Sequence, residues 1–111
     1  GPLINKLKNQ INKYGNESIY ILTARHSESE KAIYEWLLTQ DIELKLENIV
    51  GLGNSTGEYK AKWIQDNLIT NGVNDIYFVD DAFSNVKAVK DMFKEYPKGF
   101  LVQGGKSIIT I

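Results

Sequence analysis

The stretch YFVDDAFSNVKAV, residues 77–89, decides the fold. An apolar run ends at Val79, two adjacent aspartates follow (Asp80 and Asp81), and a helical pattern begins at once. Apolar strand, polar strand end, helix: this is the grammar of a βαβ unit, whose parallel strands are buried on both faces and read as unbroken apolar runs.

The same grammar recurs upstream. SIYILTAR, 18–25, is a second apolar run rich in β-formers, and LENIVGLG, 46–53, offers a short strand around Ile49 and Val50. Between them, Ala32, Ile33, Trp36 and Leu37 follow helical spacing to about Gln40, after a capping-box pattern at Ser27 and Glu30. Ser55 and Glu58 make a second such pattern, ahead of a helix lined by Ala61, Ile64 and Leu68 and ended by Gly72. Leu3, Ile4, Leu7 and Ile11 predict a first helix over 3–14, stopped by Gly15. Downstream, Ser84 is a cap for a helix carrying Val86, Val89, Met92 and Phe93 inward, with Pro97 beyond it. GFLV, 99–102, and SIITI, 107–111, read as two further strands. Strands alternating with helices predict a mostly parallel sheet in a single α/β domain over 1–111.

The bulk numbers agree with one globular domain. The chain has 111 residues, 42% hydrophobic and 24% charged, with 13 basic against 14 acidic side chains. A net charge of −1 gives no basic field, so no nucleic-acid footprint is indicated. Cysteine is absent. That excludes disulfides and thiolate metal sites and fits the reducing cytoplasm. No apolar run reaches the roughly 18–20 residues of a membrane span. The opening Gly1-Pro2, without methionine, reads as a cleavage scar or the interior of a longer protein.

In open α/β sheets ligands bind at the carboxyl ends of the strands. Thr23 stands there, with Arg25 and His26 just beyond; so do Asp80 and Asp81, and Lys60 and Lys62 open the helix between the two runs. A hydroxyl, an ammonium and two carboxylates suit phosphate and Mg²⁺, which takes hard oxygen ligands. Adjacent aspartates repel unless a cation lies between them. Each residue also has a plainer role: the aspartates as a cap at the positive end of a helix, Thr23 as a strand terminator, the lysines as a solvated face.

YILTAR, EYKAKW and YFVDDAFSN, taken in order, resemble the second, third and fourth motifs of the haloacid dehalogenase (HAD) superfamily, and most of all its small phosphatase-like members, phage-encoded ones included. The resemblance covers about residues 18–90. It implies a three-layer, Rossmann-like, mostly parallel sheet and a Mg²⁺-dependent phosphohydrolase acting on a small phosphorylated substrate. Thr23 would bind the transferring phosphoryl group. Lys60 would stabilise it, with Lys62 as the alternative match. Asp80 and Asp81 would hold Mg²⁺. Asn85 falls beneath that metal site, and Arg25 lies on the substrate side.

One motif of that family is missing. Its nucleophile is an aspartate ending an apolar strand as D-x-D, and no such strand precedes Ser18. Asp41, Glu43 and Glu47 come after the Thr23 motif instead of before it. Without the nucleophile the covalent route fails. The chain is then either part of an enzyme whose nucleophile is supplied elsewhere or a non-catalytic HAD-like module for binding or assembly. The missing strand would be central in the sheet, and a central gap leaves two rows of unpaired backbone groups. SIITI is the candidate filler, from its own chain or from a neighbour by strand exchange in a homodimer.

Other motifs carry less. GLGNSTG, 51–57, lacks the third glycine of a dinucleotide loop, having Thr56 there. QGGKS, 103–107, has Phe100 where a phosphate-binding loop needs glycine. His26 is the one histidine, which makes a histidine-based metal site improbable. Trp36 and Trp63 on helices read as core or interface. Receiver domains share the acidic pair, Thr and Lys, but place the acidic pair first in the chain.

Overall fold

The computed structural model describes residues 2–72, 75–80, 82–94 and 105–110, by backbone alone at 2, 3, 75 and 105–110. The order along the chain is α1 (Pro2–Tyr14), β1 (Ile19–Thr23), α2 (Glu30–Thr39), β2 (Ile49–Gly51), α3 (Gly57–Asn67), β3 (Asp75–Val79), α4 (Phe83–Phe93) and β4 (Gly105–Thr110). The strands form one sheet in the order β2-β1-β4-β3, and every pairing is parallel.

Side-chain alternation along β1 separates two cores. Ile19 and Ile21 join Ile4 and Leu7 of α1, Ile33 and Leu37 of α2, and Ile42, Leu44 and Ile49. Leu22, on the other face, joins Ala61 and Ile64 of α3, Leu68, Ile69, and Val89 and Met92 of α4, flanked by Tyr20, Trp63, Ile76 and Phe78. Helices therefore cover both faces: α1 and α2 on one, α3 and α4 on the other. Trp63 stacks obliquely on Tyr20 with ring centroids 5.8 Å apart, whereas Trp36 is 44% exposed.

The C-terminal segment takes the middle of the sheet. Ile108 pairs with Tyr20 on one side and Phe78 on the other, and Ile109 with Ile21 and Val79. Ile111, the strand expected at 99–102 and Pro97 lie outside the described residues.

Three expected caps differ. Ser27 opens a single 3-10 turn, α2 starts only at Glu30, and no side chain caps it. Glu30 is not available for a capping box, because its Oε2 accepts the Gly51 N–H at 2.8 Å. The cap of α3 is Thr56 and not Ser55: Thr56 Oγ1 accepts the Tyr59 N–H at 3.3 Å. Ser84 lies inside α4 and caps nothing; Asp80 Oδ1 takes the N–H of Ala82, the residue before the helix. A tertiary partner displaces the expected pattern only at Glu30; at α3 and before α4 a neighbouring side chain, Thr56 or Asp80, takes the local N–H instead.

Candidate functional site at the carboxyl edge of the sheet

At the carboxyl end of β3 the chain builds a small buried polar group. Lys60 Nζ donates to Asp80 Oδ2 at 2.8 Å, and the two side chains are only 3% and 1% exposed. Asn85 Nδ2 donates to the same oxygen at 3.0 Å, and Oδ1 accepts from Ala82 N at 2.8 Å. Burial by itself would raise the Asp80 carboxyl. The hydrogen bonds from Lys60, Ala82 and Asn85 and the charge of Lys60 oppose it, and the net result lies below the ordinary carboxylate range.

Helix spacing explains why Lys60 is inside. Gly57, Lys60, Ala61 and Ile64 are the buried residues of α3, at i, i+3, i+4 and i+7. Lys62 lies off that stripe, exposed, and pairs with Asp66 at 3.3 Å. The structure thus brings Lys60 to Asp80 and leaves Lys62 on the solvent face. Gly57 makes the close approach possible: a Cβ there would sit 2.8 Å from Asn85 Cα and 2.9 Å from Ala88 Cβ. The amino ends of α3 and α4 converge over Asp80 as a consequence, which adds two positive helix ends to the ammonium.

Thr23 is fully buried at the end of β1, where its Oγ1 accepts the Arg25 N–H at 3.2 Å. Thr23 shares its pleat parity with Ile19 and Ile21, whereas Asp80 shares that of Ile76 and Phe78, so the two belong to opposite faces. Two strand spacings, roughly 10 Å, separate their backbones. Among the described residues no hydrogen bond joins Thr23 to the Lys60 group. Arg25 and His26 are exposed on the rim. This rim is closed by backbone: Leu52 N donates to Thr23 O at 2.9 Å and Gly53 N to Arg25 O at 3.0 Å. Gly51 has no room for a side chain, since a Cβ would lie 2.5 Å from His26 O. Asp81 lies outside the described residues.

Two features escape a reading of the motifs. Phe83, the first residue of α4, is 79% exposed beside the site, and Tyr59 on the first turn of α3 is 45% exposed. A large aromatic two residues after a strand-end acidic pair is the signal for the first. The other feature is the strand between Thr23 and Asp80. Continuing the ladder by one step places Thr110 beside Asp80, so no carboxylate stands there.

Among the described residues no three His, Cys, Asp or Glu side chains converge. Asp80 offers a single carboxylate, with Oδ2 shared by Lys60 and Asn85 and a lone pair of Oδ1 left after Ala82. That set fits Mg²⁺ as one ligand among waters and phosphate oxygens. Among the described residues no helix is long and apolar enough to cross a membrane. Compared with protein-family models, curated proteins and solved structures, the chain matches none.

Proposed function

We propose that this chain supplies the phosphate- and Mg²⁺-facing part of a HAD-like phosphohydrolase site on a Rossmann-like sheet. The supporting observation is the buried Lys60–Asp80 pair at the carboxyl end of a parallel strand, beneath two helix amino ends. A buried ammonium costs free energy unless an anion compensates it. Lys60 has three N–H donors, and Asp80 Oδ2 is its partner among the described residues. The remaining donors are chemically matched to phosphoryl oxygens.

In this reading Lys60 binds and orients the phosphate of a small phosphorylated substrate, and Thr23, two strands away on the other face, would meet it only across the edge of the sheet. Asp80 holds Lys60 in place and, with Asp81, would hold Mg²⁺, which supplies charge neutralisation at the phosphoryl group when bound. Asn85 fixes the Asp80 carboxylate. Arg25 lies on the rim, where it meets the rest of the substrate. The absence of cysteine suits work in a reducing cytoplasm. The nucleophilic aspartate would come from another segment, because the central strand carries Thr110 at this level.

A second reading is favoured by the same position: with Thr110 in the middle and Asp80 engaged by three donors, the chain is a HAD-like binding or assembly module. The test is thermal unfolding with millimolar Mg²⁺, with phosphate, and with both, alongside p-nitrophenyl phosphate hydrolysis. A ligand that binds the folded state raises the melting temperature. A Mg²⁺-dependent rise that disappears in Asp81→Asn supports the phosphate and metal site. No rise with either ion leaves the ion pair as a purely structural pin.

A further inference from the structure

The tail of α3 carries the one Asn-Gly pair of the chain, Asn71-Gly72. An asparagine side chain can be attacked by the backbone nitrogen of the residue after it, and a glycine there gives the least obstruction and the most backbone freedom. Asn71 is exposed, at the end of the 3-10 turn Ile69–Asn71 that continues α3. Both reacting groups are tied to other partners: Gly72 N donates to Ile69 O at 2.9 Å, and Asn71 Nδ2 donates to Asn67 O at 2.8 Å. Asn71 N is tied as well, to Leu68 O at 3.0 Å. Asn67 Nδ2 and Thr70 Oγ1 reach back in the same way, to Trp63 O and Asp66 O. Cyclisation needs the Gly72 nitrogen without its proton and against Asn71 Cγ, so the turn must open first.

We propose that Asn71 is a site of spontaneous deamidation that the fold holds closed, so that the modification accumulates on chains in which this turn has opened. The Gly72 nitrogen gives up its proton to solvent and bonds Asn71 Cγ. The Cγ–Nδ2 bond breaks, and ammonia leaves after taking a proton from water. Water then opens the cyclic imide at either carbonyl, giving aspartate or isoaspartate. Neither product can donate to Asn67 O, since a carboxylate has no proton to give. Each sets a negative charge at the carboxyl end of a helix, where the helix dipole disfavours it. Isoaspartate also adds a carbon to the main chain between Lys60 and Asp80, the pair that joins α3 to the end of β3. The turn that blocks the reaction is therefore weakened by its product.

The test ages the full chain at neutral pH and physiological temperature, with and without guanidinium chloride. Cleavage after lysine releases residues 63–87, in which chromatography and fragment masses separate amide, aspartate and isoaspartate at Asn71. Asn54, exposed and followed by Ser55, is the internal comparison. In denaturant Asn71 should convert faster than Asn54. In native buffer Asn71 should convert at least about tenfold more slowly than in denaturant, a ratio that reads how rarely the turn opens. A smaller ratio overturns the shielding by the turn, and an Asn71 no faster than Asn54 in denaturant overturns the site. Asn71→Asp carries the product's charge on an unaltered backbone and should lower the denaturation midpoint. An unchanged midpoint overturns the weakening by the product.

Discussion

Lys60 and Asp80 are joined at 2.8 Å with both side chains essentially out of water, although they lie 20 residues apart in sequence. The pair ties α3 to the end of β3. Removing one partner leaves an uncompensated buried charge, so Lys60→Met should cost about 3–5 kcal/mol in chemical denaturation. Replacing both, with Lys60→Met and Asp80→Leu, should recover most of that loss, because a well-filled apolar pair has no charge to desolvate. Equal losses in the single and double variants would show that the pair contributes through shape alone.

The Asp80 carboxyl also makes stability depend on pH. Its folded-state pKa lies below the unfolded value of about 3.9. The unfolded chain therefore takes up the proton first. The contribution is fully present above that unfolded value and is lost as pH falls through the folded one. Denaturation midpoints should fall steeply in acid for the parent chain and less steeply for Asp80→Asn. Asp91 is also lowered, by Lys87 and Lys94, but it is exposed, and salt screens it. Asp91→Asn at moderate salt should leave the acid slope nearly unchanged.

Gly57 tests whether the convergence of α3 and α4 matters. A Cβ there meets the backbone of Asn85 and the side chain of Ala88 below 3 Å, so the helices must part. Gly57→Ala should cost roughly 1–3 kcal/mol, the range for an overfilled core, despite the better helix propensity of alanine. Displacing Asn85 also removes a hydrogen bond from Asp80 Oδ2, so the acid slope of the variant should shift with its stability. A stabilised Gly57→Ala would mean that the two helices have slack at their amino ends.

Much of this architecture is legible in the sequence. Lys60 falls on the 57, 60, 61, 64 stripe that buries α3, and Lys62 does not; the period alone separates the two lysines. The caps are less legible, because Ser55 and Thr56 are both good caps and the local pattern does not choose between them. The sidedness of Thr23 against Asp80 was not legible. Tyr20 and Leu22 are as apolar as Ile19 and Ile21, so a strand buried on both faces gives no alternation to say which residue points where. The face that α4 covers is invisible for a similar reason: the order of elements can be read from the chain, but not the side of the sheet on which a helix packs.

Asn48 offers a test with the opposite pH sign. It is buried, and its Nδ2 donates to Glu17 O at 3.2 Å and to Ile19 O at 3.0 Å, fastening the turn before β2 to the start of β1. Asn48→Ala leaves two carbonyls without that donor and should cost about 1–3 kcal/mol. Asn48→Asp should be worse near neutral pH, since a carboxylate has no proton to give and faces two carbonyl oxygens. Its folded pKa would be raised above the unfolded value by burial and by those oxygens. The variant is therefore most stable in acid, below its unfolded pKa, and loses stability as pH rises through the folded one. Denaturation of the aspartate and alanine variants across pH should show the first approaching the second only in acid. Parallel profiles would mean that water replaces the lost donor at Asn48.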